Sequence, residues 1–515
     1  MINRSIRTLA RIALVATAVT TTGAQPAPDK RIAAVMDRPE FVHASWGMEF
    51  YDLGTKKTLF AVNRDRLFVP GSTTKLLTMG TAFETLGPDH RFRTRVYRTG
   101  PVRNGVLEGD LVFVGSGDPN LSGRERPDGS YAFIDVDHSY SGQPLPSDPL
   151  TVIRDMARQV AARGIRVVTG QVIVDASLFR EGDREGGTRV TMSPVVINDN
   201  VIDIVVTPGV RAGEPAAVNV SPKTSYLTVF ANLVTIDSGR PATLRAVEDS
   251  TDRDHRTLVM TGGVPRGAAT NPRWVVPVPS RYGEIVFTEA LNEAGVRAIP
   301  RLASRSLDRS RLAASYTDSL VVAERVSLPL SAEARVLLKT SQNLHASNFP
   351  LLLGSLPVAR DSNKTGFDLA NAWLTRAGLD LNGAVQGDGA GADAYFSPAF
   401  MTRYLEVIAG KPWAAAFKAA LPILGKDGTL AAIQVNAPAA GQVHAKTGTF
   451  SSFDPLNRRS IVHGKGLAGY FTTKSGREIA FAIYVNNVAA NVPDPALLAG
   501  QALGEIASIA WEVIR

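Results

Sequence analysis

Pro70-Gly71-Ser72-Thr73-Thr74-Lys75-Leu76-Leu77-Thr78-Met79 is the stretch on which the fold turns. Proline and glycine interrupt the chain before Ser72, and Leu76, Met79, Phe83 and Leu86 then recur at helical spacing until Gly87-Pro88 ends the run. The pattern predicts a helix with Ser72 in its first turn. Lys75, three residues on, shares a helical face with that serine. A serine hydroxyl is a weak nucleophile until a neighbour removes its proton, and a lysine can do so only as a neutral amine. Burial and a second cation both favour the neutral form, and Lys446 is the candidate second cation.

Working outward, residues 45–51 and 58–62 read as two strands joined by a turn at Asp52-Leu53-Gly54. From about Thr94 to Leu320 the texture is one of short β-rich runs, such as Leu111-Val112-Phe113-Val114, with a single amphipathic helix at 282–294. Helical texture returns at 331–353, 368–377 and 398–409. Strands follow at 441–445, 466–471 and 478–485, with a turn at Ser475-Gly476. The last helix, 495–515, carries Leu498, Ala502, Ile506, Ile509 and Val513 at helical spacing; with few basic residues opposite, it is expected to pack on the core rather than lie on a membrane.

Two further short motifs lie downstream of Ser72-Thr73-Thr74-Lys75. Ser341-Gln342-Asn343 falls on a helix or its end, and Lys446-Thr447-Gly448 on a strand. Ser341 is placed to relay a proton to a leaving amine, and the Asn343 amide to hold Lys75 and the substrate backbone in register. Lys446 and Thr447 can bind a substrate carboxylate, while Gly448 admits close backbone approach. The backbone N–H groups of Ser72 and Thr449 are the candidate oxyanion donors.

Composition excludes much else. Apolar residues make up 44% and charged residues 20% of the 515, as in ordinary globular proteins. There is no cysteine, which removes disulfides, thiolate metal sites and a cysteine nucleophile. HExxH, GxxxxGK[ST] and GxSxG are absent, and Asp135-Val136-Asp137-His138-Ser139 lacks the glycine and glutamate of a calcium loop, so it reads as an ordinary loop. No metal or organic cofactor is implied. The net charge of +8 is dispersed, which argues against nucleic-acid binding. Arg4, Arg7 and Arg11 before a short apolar run and small residues predict a cleavable export signal over 1–24. No later stretch is apolar enough to span a membrane, leaving at most peripheral membrane association.

The three motifs, in this order and with this long gap, resemble the class C low-molecular-mass penicillin-binding proteins, the D-Ala-D-Ala carboxypeptidase/endopeptidase family S13. Gly109-Asp110-Leu111, Gly115-Ser116-Gly117-Asp118-Pro119, Ser193-Pro194 with Asn198-Asp199-Asn200, and Gly387-Asp388-Gly389-Ala390-Gly391 extend the likeness over nearly the whole chain. The resemblance implies an α+β fold: a β-lactamase/transpeptidase-like catalytic domain, an antiparallel sheet flanked by helices, interrupted by a large mainly-β inserted region. The expected organisation is a signal at 1–24, catalytic segments at 25–94 and 321–515, and the inserted region, with two possible subdomains, at 95–320. The implied activity is cleavage beside D-alanine in peptidoglycan stem peptides through an acyl-enzyme on Ser72, with β-lactams as inhibitors, in the periplasm. Asn198 is the candidate substrate contact from the inserted region. The alternatives are a β-lactamase or esterase using the same acylation residues, and a catalytically silent cell-wall binding protein. Three departures stand out: the family's Leu-Ser-Arg gives way to Ala392-Asp393-Ala394, His345 stands where an acidic residue is usual, and 450–465 reads as a longer loop bearing Arg458, Arg459 and Lys465.

Overall fold

The computed structural model describes residues 29–249, 256–267, 269–302 and 307–515; the expected export signal lies outside them. Five strands, β1 (Ser45–Asp52), β2 (Lys57–Val62), β3 (Val443–Asp454), β4 (Arg459–Thr472) and β5 (Glu478–Val488), form one antiparallel sheet in the order β3-β4-β5-β1-β2. The central strand β5 is buried on both faces, and its period of two divides it cleanly. Ile479, Phe481, Ile483 and Val485 face a core shared with the terminal helix, whereas Ala480, Ala482 and Tyr484 face a second core under the helix that follows Ser72.

That helix is α1 (Lys75–Leu86), preceded by a 3₁₀ turn at Gly71–Thr74, so Ser72 sits just ahead of the α-helix rather than inside it. The predicted 331–353 helix is two: α2 (Leu330–Thr340) and α3 (Asn343–Ser355). Ser341 breaks them apart with left-handed backbone angles of φ 64° and ψ 39°. On the same sheet face as α1, α4 (Pro398–Ala409) packs against β5 and β1, and α5 (Pro495–Val513) covers the opposite face with Ala499, Ala502, Leu503 and Ile506 buried, as its apolar stripe predicts.

The chain leaves this body along Arg93–Arg98 and returns along Val321–Val326, two strands that pair antiparallel with Arg93 opposite Val326. Together with Leu111–Val114 and Val172–Asp175 they make a four-stranded sheet, above an apolar core drawn from residues between Val96 and Ala323. The inserted region holds more helix than its texture suggests. Thr151–Ala162 buries Val152, Ile153, Met156, Ala157 and Val160 and packs beside Pro279–Glu293. Residues 450–465 likewise are not a loop: β3 and β4 continue their ladder through Ser451–Val462 to Asp454–Arg459, past a bulge at Phe450/Ser451.

Candidate active site

The 3₁₀ turn carrying Ser72 docks against β3. A Cβ at Gly448 would run into Pro70 O and stand 3.1 Å from Ser72 N, so only glycine lets the strand pass here. Gly71, at φ 51°, is held by the same seam, its missing side chain directed at Thr449 N. The close approach served by Gly448 is thus between the strand and the serine's own turn, not between the strand and substrate as its sequence alone suggests.

Lys75, fully buried, is the hub of the site. Its Nζ donates to Ser72 Oγ at 2.7 Å, to Ser341 O at 2.9 Å, to Ser341 Oγ at 3.2 Å, and to Asn343 Oδ1. The left-handed break at Ser341 makes this possible, because it turns both the carbonyl and the hydroxyl of one residue toward a single amine. Burial lowers the Lys75 pKa to about 8, against the opposing pull of Asp137, Glu185 and Asp388. Lys446 is also fully buried; burial first, then Lys75 and Lys465, push its pKa well below the ordinary lysine range. Burial is therefore what lowers Lys75, and the expected contribution of Lys446 as a second cation does not appear there. The repulsion between the two lysines is felt at Lys446, which Lys75 helps to push down.

These groups border a cavity of about 620 Å³ whose walls include Ser72, Ser341, Asn343, Thr447 and Thr449. Lys75 and Lys446 lie behind the wall. Lys446 Nζ donates to Thr447 O at 2.8 Å, and the Thr447 hydroxyl meets Thr429 Oγ1 at 2.7 Å.

Asn198 is not among the cavity residues. It is buried, its Nδ2 donating to Val201 O and Asp203 Oδ2, both at 3.0 Å, in a turn where residues 198–200 all have positive φ. That turn aims Asp199 into a buried charge network. Asp199 accepts from Arg124, from His138 Nδ1 at 2.9 Å and from His345 Nε2 at 3.0 Å. His138 Nε2 reaches Asp203 at 2.7 Å, and His345 Nδ1 reaches Glu333 at 2.8 Å. Burial alone would raise Asp199; Arg124 and the imidazoles hold it well below the carboxylate range. Burial alone would lower the histidines, yet their carboxylate partners push both up to about 9.

The inserted region reaches the cavity elsewhere, through Val136, Asp137, Tyr140 and the Glu185-Gly186-Gly187 turn. Asp137 Oδ2 accepts Asn343 N–H at 2.8 Å, and Tyr140 OH accepts from Asn343 Nδ2 at 3.2 Å, so both sides of Asn343 are held from across the cavity. Asp137 caps a one-turn helix at His138–Ser141, where the sequence reads only as loop. The failed calcium-loop pattern, dense in short polar side chains, was the signal that could have marked it.

The sequence model of the D-Ala-D-Ala carboxypeptidase 3 (S13) family matches residues 29–502. A D-alanyl-D-alanine carboxypeptidase of Actinomadura sp. (strain R39) is 27% identical over 480 residues, covering 88% of this chain and 80% of that protein. A penicillin-sensitive carboxypeptidase A of Dictyostelium discoideum is 25% identical over 457 residues, covering 86% and 82%. The crystal structure of penicillin binding protein 4 from Haemophilus influenzae shares the fold with a TM-score of 0.69 and 18% identity, over 93% of this chain and 99% of that one. With the match running through all three motifs and the inserted region between them, the chain belongs to the D-Ala-D-Ala carboxypeptidase 3 (S13) family of serine hydrolases.

Proposed function

We propose that this protein is an exported serine D-alanyl-D-alanine carboxypeptidase and/or endopeptidase acting on peptidoglycan stem peptides, and that penicillins acylate it. The observation that carries the reading is the buried Lys75 amine, with its pKa near 8, 2.7 Å from Ser72 Oγ at the edge of the cavity. Neutral Lys75 takes the Ser72 proton as Oγ attacks the carbonyl carbon of the penultimate D-alanine. The tetrahedral oxyanion falls to the backbone N–H groups of Ser72 and Thr449, which the glycine seam holds together; one such donor contributes about 10²–10³-fold in rate. Ser341, in reach of Lys75, passes the proton to the departing amine. D-alanine leaves, and water then hydrolyses the ester.

Activities named for the relatives, a D-alanyl-D-alanine carboxypeptidase and a penicillin-sensitive carboxypeptidase, support the same assignment. The basic, then apolar, then small-residue N-terminal segment supports export to the periplasm, where that substrate lies. The test is to follow the intact mass of the mature protein with benzylpenicillin, beside Ser72→Ala, and to assay D-alanine release and cross-link cleavage on purified muropeptides. A persistent penicilloyl adduct absent from the variant, together with peptide cleavage, is expected. Rapid loss of antibiotic without an adduct would point to a β-lactamase, and no adduct with no cleavage to a silent binding protein.

A further inference from the structure

We propose that Lys465, beside Thr449, supplies from β4 the cation that receives a substrate carboxylate in the cavity. The proposal rests on the acyl-enzyme reading above. Lys465 pairs with Thr449 across the β3–β4 ladder, and its Nζ donates to Thr449 Oγ1 at 2.7 Å. Both residues line the cavity.

Lys446 cannot do this work, because its side chain is fully buried and its ammonium is turned back onto its own strand. Among the described residues, no carboxylate comes within 4.0 Å of Lys465. The one acidic group that acts on it, Asp494, caps α5 through Leu497 N. Lys465 therefore presents a positive charge and one hydroxyl-linked amine to whatever enters the cavity.

The opposite wall is acidic, but its carboxylates are already engaged. Asp137 accepts from Ser139 and Asn343, and Glu185 from Gly187 and Thr188. The cavity is thus polarised, negative on the side of the inserted region and positive at β4. An acyl donor with a terminal carboxylate is drawn toward Lys465 and turned away from Asp137 and Glu185. That orientation places the carboxylate beside Thr447 and Thr449 and the scissile carbonyl beside Ser72. Burial lowers Lys465 to about 8, so the subsite is charged below that pH and fades above it.

The experiment compares Ser72 acylation by benzylpenicillin and by its methyl ester, using intact mass, in wild type, Lys465→Gln and Lys465→Arg. The ester reports the integrity of fold and nucleophile without the carboxylate. Lys465→Gln is expected to slow benzylpenicillin acylation about tenfold or more beyond any change in the ester rate, and Lys465→Arg to restore most of that difference. In wild type the preference for the free acid should shrink as pH rises through 8. Equal losses for both compounds, or an undiminished preference in Lys465→Gln, would overturn the subsite. No Ser72 adduct with either compound in wild type would overturn the acyl-enzyme reading and the subsite with it.

Discussion

On the proposed mechanism Lys75 has to be buried to lose its charge, yet it must stay in contact with the Ser72 hydroxyl. Four acceptors from three residues hold it in place, and on that mechanism its pKa near 8 sets the pH at which it can act as a base. Below that pH the amine is protonated and cannot take the Ser72 proton, so the acylation rate should rise with pH and level off above about 8. Stopped-flow acylation with the penicillin methyl ester, which lacks the carboxylate, should show this rising limb alone. Lys75→Ala should cost about 10²–10⁴-fold in the acylation rate with little loss of binding. The residues of the three motifs were legible because spacing and residue chemistry carry them. Asp137 and Tyr140 were not, since their approach to Asn343 depends on contacts some 200 residues apart in sequence, and neither was Glu185, which only the fold of the inserted region brings to the cavity. Asn198 was misplaced for a related reason. An Asn-rich turn signals unusual backbone angles, not which way its side chains point.

At the scale of elements, the candidate site is a seam between a 3₁₀ turn and a strand edge. Gly448 is its narrowest point, and Gly448→Ala would force β3 away from Pro70 and Ser72. The variant should lose about 1–3 kcal/mol of stability, read by thermal or chemical denaturation, and acylate slowly even where it stays folded. Helices with long apolar stripes and the buried stretches of the central strands stood out in the sequence because each satisfies one periodicity. The break between α2 and α3 did not. Thr340, Ser341 and Gln342 carry no glycine or proline, and the left-handed serine is held by its bonds to Lys75 rather than by intrinsic preference. The β3–β4 extension was hidden for another reason: Ser451, Ser452 and Asp454 are exposed and polar, so the ladder there rests on backbone pairing without an apolar alternation.

Across the whole molecule, the Asp199 network ties the inserted region to α2 and α3 through Glu333 and His345, directly behind the Asn343 that Asp137 holds. Removing one member of a buried charge cluster leaves the others uncompensated, so Asp199→Asn should destabilise the protein by about 3–5 kcal/mol and loosen Asn343. His138 and His345 keep their protons to about pH 9 when folded but release them near 6.5 when unfolded. Their contribution is complete below 6.5 and is lost as pH rises toward 9. Asp199 acts in the other direction, contributing above its unfolded value near 3.8 and losing that contribution as pH falls further. Melting temperatures should therefore decline on both flanks, and the alkaline decline should shrink in His345→Gln.

The chain departs for the inserted region and comes back at one place. Phe92 N–H donates to Ser327 Oγ at 2.9 Å, Ser327 N–H returns to Phe92 O at 3.0 Å, and the first and last inserted strands continue from that pair. To the catalytic sheet, a detour of more than two hundred residues is therefore no wider than a hairpin turn, and the entropy of closing it grows only with the logarithm of its length. Such a doorway makes the detour a cassette. Its length and content do not constrain the sheet, provided that it still offers an acceptor to the amide of Asn343.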